Sequence, residues 1–259
     1  MTGVALITGG GKRLGRAMAL YLAGRGLDVA VHYNGSAQGA EDVVAQIEGM
    51  GRRAVALQAD LLSEDATQAL LPRAVQALGQ VSCLVNNASV FEYDQIDTIT
   101  RDSWDRHLDS NLRAPVVLTQ ALADQAPDAE TDANGEPRAR TLVVNMVDQR
   151  VRKLTPAFMS YTIAKMGLWA FTQTAAQALA PRVRVNAIGP GPTMQGARQS
   201  AEHFARQRAA TVLERGSNPA DITAALGYFL DAPAVTGQLL CIDGGQHLAW
   251  KTPDVLGPE

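Results

Sequence analysis

Thr8-Gly9-Gly10-Gly11-Lys12-Arg13-Leu14-Gly15 is the stretch on which the reading of the fold turns. It closes a short β-branched run, Val4-Ala5-Leu6-Ile7-Thr8, and opens a segment whose Leu14, Ala17, Met18, Tyr21 and Leu22 share one helical face. Glycines let a backbone turn tightly and approach a pyrophosphate, and the first turn of a helix offers free N–H groups and the positive end of its dipole. Ordinary strand-to-helix turns also use glycine. Position sets this one apart, because it lies in the first strand–helix unit of a chain that keeps up the same alternation.

Working outward, strand-like runs occur at Val4–Thr8, Asp28–Tyr33, Arg53–Ala59, Val81–Asn86, Thr141–Val147, Arg182–Ile188 and Gln238–Ile242. Most are continuously apolar, as parallel strands covered on both faces must be. Six crossovers joining seven strands predict an α/β fold: a Rossmann-like doubly wound seven-stranded parallel sheet with helices on both faces. The 259 residues suit one cofactor-binding domain, residues 1–249, followed by a tail, residues 250–259. Asp124–Arg140 is acidic and bears Gly and Pro, so it reads as a solvated loop. Pro190–Arg215 follows the sixth strand at its carboxyl end, where open α/β sheets bind ligands, and residues 192–215 are expected to form a substrate loop or lid. The tail has two prolines and no periodicity; it frays or docks on a neighbour.

Composition removes several classes of function. Apolar residues make up 46% and charged residues 19%, which excludes disorder and coiled coil. A net charge of −3 supplies no basic field for nucleic acid or an anionic membrane, and no apolar run approaches the ~20 residues of a bilayer span. Met1-Thr2-Gly3 leads straight into the first strand without a signal-peptide pattern. Cys83 and Cys241 sit apart in apolar runs and read as buried thiols, so the expected location is the cytoplasm. His32, His107, His203 and His247 show no metal-ligand spacing, and no serine lies in a nucleophile-elbow motif.

The end of the second strand bears on the cofactor. A dinucleotide fold choosing NAD places Asp or Glu about 20 residues on, to hold the ribose 2′-hydroxyl. Here the strand ends His32-Tyr33-Asn34-Gly35-Ser36, without a carboxylate. A 2′-phosphate meets no repulsion there, and Arg13, His32, Tyr33, Asn34 and Ser36 are candidate donors to it. Asn-Gly-Ser is also an ordinary turn. The missing acid favours NADPH over NADH.

Tyr161-Thr162-Ile163-Ala164-Lys165 opens a long helix, with phenol and ammonium on one face at i and i+4. A phenol near pKa 10 is a poor proton carrier at neutral pH. A cation about 4 Å away at an effective dielectric of about 20 favours the tyrosinate by at most ~4 kcal/mol. Such a pair suits proton exchange with a substrate heteroatom while a nicotinamide exchanges hydride. Met166–Ala180 carries no charge, so that part of the helix is expected to be an oligomer interface or wholly enclosed.

With these residues in hand, the chain resembles the short-chain dehydrogenase/reductase superfamily over essentially its whole length. The matching pieces are Thr8-Gly9 with Gly15, Asp60, Asn86-Asn87-Ala88-Ser89, Asn111, Tyr161 with Lys165, Pro190-Gly191 and Asp243-Gly244-Gly245. The resemblance implies that Asp60 and Leu61 contact adenine and that Asn87-Ala88 line the cofactor groove. It makes Asn111 position a water for a proton relay, has Lys165 bind the nicotinamide ribose, and brings Thr193 to the nicotinamide amide. Members of this family are usually tetramers, which implies a homotetramer.

Two departures narrow the resemblance. Most members have Gly where this chain has Arg13, and Ser thirteen residues before the catalytic Tyr, where this chain has Asp148. The combination is similar to the pteridine reductases and the bacterial dihydromonapterin/dihydrofolate reductases. They share Thr8-Gly9-Gly10-Gly11-Lys12-Arg13-Leu14-Gly15-Arg16, His32-Tyr33 with Ser36, Asn86-Asn87-Ala88-Ser89-Val90-Phe91, and Asn145-Met146-Val147-Asp148 as patterns. On that resemblance Arg13 bridges cofactor phosphate and pterin, Ser89 lines the substrate pocket, Phe91 stacks on the pterin, and Asp148 and Tyr161 serve proton donation. A flat pterin between an aromatic ring and a nicotinamide has a defined hydride path, and its C=N nitrogen needs a proton. Asp148 is also what a strand-end cap would use, and Phe91 what a core would use. Gly35 stands where pteridine reductases commonly have Arg. The expected activity is NADPH-dependent reduction of a pterin or folate; the alternative is an NADP-dependent carbonyl reductase acting on a ketone or 3-oxoacyl group. A non-catalytic dinucleotide sensor would lack Tyr161, Lys165 or Asn111, and all three are present.

Overall fold

The computed structural model describes residues 3–196 and 199–251. Four strands come first: β1 (Val4–Ile7), β2 (Asp28–Tyr33), β3 (Ala54–Gln58) and β4 (Val81–Asn86). A small hairpin of β5 (Glu130–Thr131) and β6 (Pro137–Arg138) precedes β7 (Thr141–Met146), β8 (Val183–Pro190) and β9 (Leu239–Ile242). The main sheet runs β3-β2-β1-β4-β7-β8-β9 with every neighbouring pair parallel. Its strands are the seven expected ones, with ends moved by a residue or two. The order reverses beside β1, because the chain steps out through β2 and β3 and returns with β4 on the other side. That reversal opens a crevice at the carboxyl ends of the strands.

Both faces of the sheet are covered, which is why the central strands carry no polar alternation. On one face Ala5, Ile7, Val29 and Val31 pack with Met18 and Leu22 of α1 (Arg13–Gly24), Ile47 of α2 (Ala37–Gly49) and Phe229 of α8 (Pro219–Asp231). On the other, Leu6, Leu84 and Val143 meet Leu70 of α3 (Glu64–Leu78) and Leu118 and Leu122 of α5 (Ala114–Gln125). Each such buried aliphatic side chain contributes about 1.5–3 kcal/mol. α4 (Arg101–Leu108) runs into α5 through a π-helical turn, Asp109–Arg113. α6 (Met159–Leu179) and α7 (Ala201–Ala209) complete the helices.

Four expectations need correction. Asp124–Arg140 is not wholly loop: the β5–β6 hairpin forms because the Asp132 carboxylate accepts N–H groups of Asn134 and Glu136 and Gly135 takes φ 81°. The described residues of Pro190–Arg215 are not all loop, since Pro190 ends β8 and α7 starts on a Ser200 cap. α6 is not enclosed by its own chain; Ile163, Met166, Ala170, Gln173 and Gln177 form an exposed, uncharged face. Cys241 is only half-buried, whereas Cys83 is buried, and burial pushes their thiols up to about 11 and about 12. Trp250 and Lys251 are exposed, and the rest of the tail lies outside the described residues. Among the described residues no helix is long and apolar enough to cross a membrane.

Candidate active site and cofactor cleft

A cleft of about 650 Å³ occupies the crevice at the carboxyl ends of the strands. Gly9, Lys12, Arg13 and Leu14 line it from the β1–α1 turn, and His32, Tyr33, Asn34 and Ser36 from the end of β2. Asp60 and Leu61 follow β3, Asn87, Ala88 and Ser89 follow β4, and Pro190, Gly191 and Thr193 follow β8. Arg106, Ser110 and Met194 also line it and were not foreseen.

The turn is built for close approach. Gly9 has φ +64°, and a Cβ on Gly15 would lie 2.0 Å from the Gly9 carbonyl oxygen. Thr8 Oγ1 accepts the N–H groups of Asn87 and Ala88, both at 2.9 Å, and Asn87 Nδ2 donates to the Thr8 carbonyl at 2.9 Å. No side chain caps the start of α1, so its first N–H groups remain for an anion. Lys12, Tyr33 and Ser36 add polar groups with no side-chain bond to another described residue. Together with the missing carboxylate at the end of β2, these features fit a dinucleotide carrying an extra phosphate.

The remaining polar groups are placed differently from expectation. His32 is buried with both ring nitrogens engaged: Nδ1 accepts the Gly9 N–H at 3.0 Å, and Nε2 donates to the Ala59 carbonyl at 3.0 Å. It shapes the turn and has no donor left for a phosphate. Burial lowers its pKa from 6.5, which keeps the ring neutral. Arg13, in a left-handed conformation at φ 52°, donates to the carbonyls of Gln195 at 2.8 Å and Met194 at 3.1 Å, and so ties α1 to the segment after β8. Asn34 Nδ2 donates to Asp60 at 3.3 Å.

Beside the cleft, Asp148, Tyr161 and Lys165 form one cluster. Asp148 caps a 3-10 turn, Gln149–Val151, by accepting the Arg150 N–H at 2.8 Å on Oδ1. Its Oδ2 accepts the Tyr161 hydroxyl at 3.0 Å. Lys165 is 2% exposed; its Nζ donates to the Met146 carbonyl at 2.7 Å and lies 5.6 Å from the centre of the Tyr161 ring. Burial raises the Asp148 carboxyl, against the Arg150 N–H bond and charge and the Tyr161 bond. Burial also lifts the Tyr161 phenol well above 10, helped by the charge and hydrogen bond of Asp148 and opposed by Arg150 and Ser89. Burial pushes Lys165 down to about 8, with Asp148 acting in the opposite direction. The expectation that Lys165 favours a tyrosinate is therefore reversed: a buried phenol facing a carboxylate keeps its proton. That arrangement can give a proton away.

Asn111 lies in the π-helical turn, a feature frequent at functional sites. Its side chain closes on Val90, Oδ1 accepting the N–H at 2.9 Å and Nδ2 donating to the carbonyl at 2.8 Å. It thus holds the segment carrying Ser89 and Phe91.

Phe91 is 43% exposed and stands edge-on to Tyr161, centroids 4.7 Å apart at 71°. It stacks on Phe158 at 4.3 Å and 7°. Phe158 precedes α6 with φ 59° and ψ 49°, a conformation that nothing in its sequence signals. A buried chain beneath was also missed. The Glu92 N–H is accepted by His107 Nε2 at 3.1 Å, so Nδ1 carries the ring proton toward Ser160 Oγ at 2.7 Å. Ser160 in turn bonds Asp94 through both Oγ and N–H, and the Asp94 carbonyl accepts the Phe158 N–H at 2.8 Å. This chain fixes the start of α6, and with it Phe158 and Tyr161. Its members lie in three separate segments with no joint motif, Asp94 and Ser160 being 66 residues apart.

The fold, the uncapped glycine turn and the proton-bearing cluster together define a dinucleotide-dependent oxidoreductase. The family model for short chain dehydrogenases matches residues 3–206, and the chain belongs to that family. Among solved structures, the FolM alternative dihydrofolate reductase 1 of Brucella suis, in complex with NADP, is 41% identical, with 97% of each chain covered and a TM-score of 0.90. The corresponding Brucella canis protein, also complexed with NADP, is 40% identical, with 98% of each chain covered and a TM-score of 0.88. The 3-oxoacyl-[acyl-carrier-protein] reductase FabG of Staphylococcus aureus is 29% identical over 253 residues, 96% of this chain and 99% of that one.

Proposed function

We propose that the protein is an NADPH-dependent reductase of a dihydropterin or dihydrofolate. The observation that carries this reading is the carboxyl group of Asp148, 3.0 Å from the Tyr161 hydroxyl, at the place where the resemblance leads one to expect a serine. A hydroxyl suffices for a ketone oxygen, whereas a carboxyl group can exchange protons with a ring nitrogen. The similarity to FolM proteins, described as alternative dihydrofolate reductases in complex with NADP, supports both the substrate and the cofactor.

When bound, the nicotinamide supplies the hydride that reaches carbon of a C=N bond. The nitrogen takes a proton, and the Tyr161 phenol, held protonated, is placed to give it. Asp148, raised by burial, shares that proton and passes on its replacement from solvent. Lys165 sets a positive charge behind the phenol that offsets the anion formed as the proton leaves. Phe91, 43% exposed, would border a flat ring, and Lys12, Tyr33 and Ser36, which line the cleft, would hold a 2′-phosphate.

A carbonyl reductase acting on 3-oxoacyl groups is the second reading, favoured by similarity to FabG over nearly the whole chain. NADPH oxidation by purified protein, with dihydrobiopterin, dihydromonapterin, dihydrofolate, small ketones and a 3-oxoacyl thioester side by side, separates them. Fast turnover of a pterin supports the first reading, and turnover of carbonyl compounds alone overturns it. We also propose a homotetramer, built partly on the uncharged face of α6 around Ile163 and Met166; light scattering that finds only monomer at micromolar concentration refutes it. Two cysteines outside any disulfide accord with a cytoplasmic location.

A further inference from the structure

Immediately after Asp148 the chain reads Gln149-Arg150-Val151-Arg152-Lys153, three cations in four residues of a protein whose net charge is −3. Among the described residues none of the three has a carboxylate within ion-pair distance. Arg152 lies over the Trp169 ring of α6, 5.6 Å from its centroid. Arg150 instead joins the aromatic column of the site. Its guanidinium is 5.0 Å from the centroid of Phe158, and Nη1 donates to Thr155 Oγ1 at 2.7 Å. Phenol, stacked rings and guanidinium therefore follow one another: Tyr161 to Phe91 at 4.7 Å, Phe91 to Phe158 at 4.3 Å, Phe158 to Arg150 at 5.0 Å. The charge of Arg150 acts on both Asp148 and Tyr161.

An aromatic shelf ending in a guanidinium without a carboxylate partner is complementary to an aromatic group ending in an anion. We propose that Arg150 anchors a carboxylate carried by the substrate outside its reducible ring, so that the favoured substrate is a pterin with an aromatic, carboxylate-ended tail, as in dihydrofolate, rather than a neutral pterin. This rests on the pterin reading above. The tail's aryl ring lies along the edge of Phe158, on the Arg150 side of the stack, and Arg150 takes the carboxylate in a two-pronged hydrogen bond. Arg152 and Lys153 contribute field rather than contact, so the preference weakens with salt.

The test is kcat/KM for dihydrofolate and for dihydrobiopterin, measured on the wild-type protein and on Arg150→Met and Arg150→Lys, at low and high ionic strength. Methionine keeps an aliphatic stem over Phe158, and lysine keeps the charge without the fork. The wild type is expected to prefer dihydrofolate. In Arg150→Met the ratio of the two efficiencies falls about ten- to a hundredfold, mainly through KM for dihydrofolate, and Arg150→Lys recovers part of it. An unchanged ratio in Arg150→Met, or a wild type that prefers dihydrobiopterin, overturns the anchor while leaving pterin reduction standing. If neither pterin is turned over, the reading of the reaction falls and the anchor with it. If a 3-oxoacyl thioester on an acidic carrier protein is the one substrate impaired by Arg150→Met, the cation serves a protein partner and the tail anchor is refuted.

Discussion

Asp148→Asn is the substitution that most directly probes the proton-bearing cluster. An asparagine keeps an oxygen for the Arg150 N–H that Asp148 now caps at 2.8 Å, so the 3-10 turn stays and thermal stability is expected to hold. What is lost is the negative charge facing Tyr161 at 3.0 Å, and with it a group that can take up a proton and hand it on. Two of the causes that lift the phenol, the charge and the hydrogen bond of Asp148, disappear together, and its pKa falls toward the level set by burial. Positioned acid–base groups contribute about 10²–10⁴ in rate. Tyr161 remains as a proton donor in the variant, so the low end applies: kcat falls about a hundredfold, about 3 kcal/mol in the barrier. Binding of NADPH, read by fluorescence titration, is expected to be unchanged, because the cleft does not include Asp148. Steady-state NADPH oxidation with the best pterin gives the number, and the solvent isotope effect should grow as proton transfer becomes limiting. A variant within about threefold of wild type would remove Asp148 from the proton path.

Three further outcomes follow from other parts of the molecule. Lys165 has a folded pKa of about 8 against 10.5 unfolded, so between those values the unfolded chain binds more protons and stability rises with pH. Relative to Lys165→Met, the wild type should gain about 3 kcal/mol across that window in denaturant titrations, and a constant difference would contradict the burial argument. Asp94→Ala strands the Ser160 N–H and hydroxyl in a buried setting at about 1–3 kcal/mol each, a fall of several °C in Tm; an unshifted melt would mean the chain from His107 carries no load. Ser36→Asp sets a carboxylate where a 2′-phosphate is expected; like charges about 5 Å apart at an effective dielectric of about 20 repel by about 3 kcal/mol. The NADPH-to-NADH efficiency ratio should fall at least about tenfold, and an unmoved ratio would dismiss that placement.

The strands were legible in the sequence because both faces of the sheet are buried, which leaves runs such as Val4-Ala5-Leu6-Ile7 without polar alternation. The cleft was legible too, since its walls are the loops that follow successive strands and each carries a local signature. Bond partners across the fold were not. His32 reads as a donor at a strand end, and only the position of Gly9 and Ala59 shows that both nitrogens are spent. Arg13 reads as a phosphate ligand, yet its partners are the carbonyls of Met194 and Gln195, 181 and 182 residues further along the chain. The tyrosinate expectation failed for a related reason. It weighed one neighbouring charge, whereas desolvation and Asp148 dominate once Tyr161 is buried.

The imidazole of His32 has a consequence for acid tolerance. It is a spacer with a direction: an acceptor toward the glycine turn, a donor toward the end of β3. A second proton on the ring would turn the acceptor end into a donor aimed at another donor, the Gly9 N–H, and push the turn off the sheet. Burial delays that event to below pH 6.5 without abolishing it. The geometry of the nucleotide turn thus has an acid boundary written into one side chain. Only a neutral group of similar reach with the same polarity at its two ends, such as a carboxamide, could take its place.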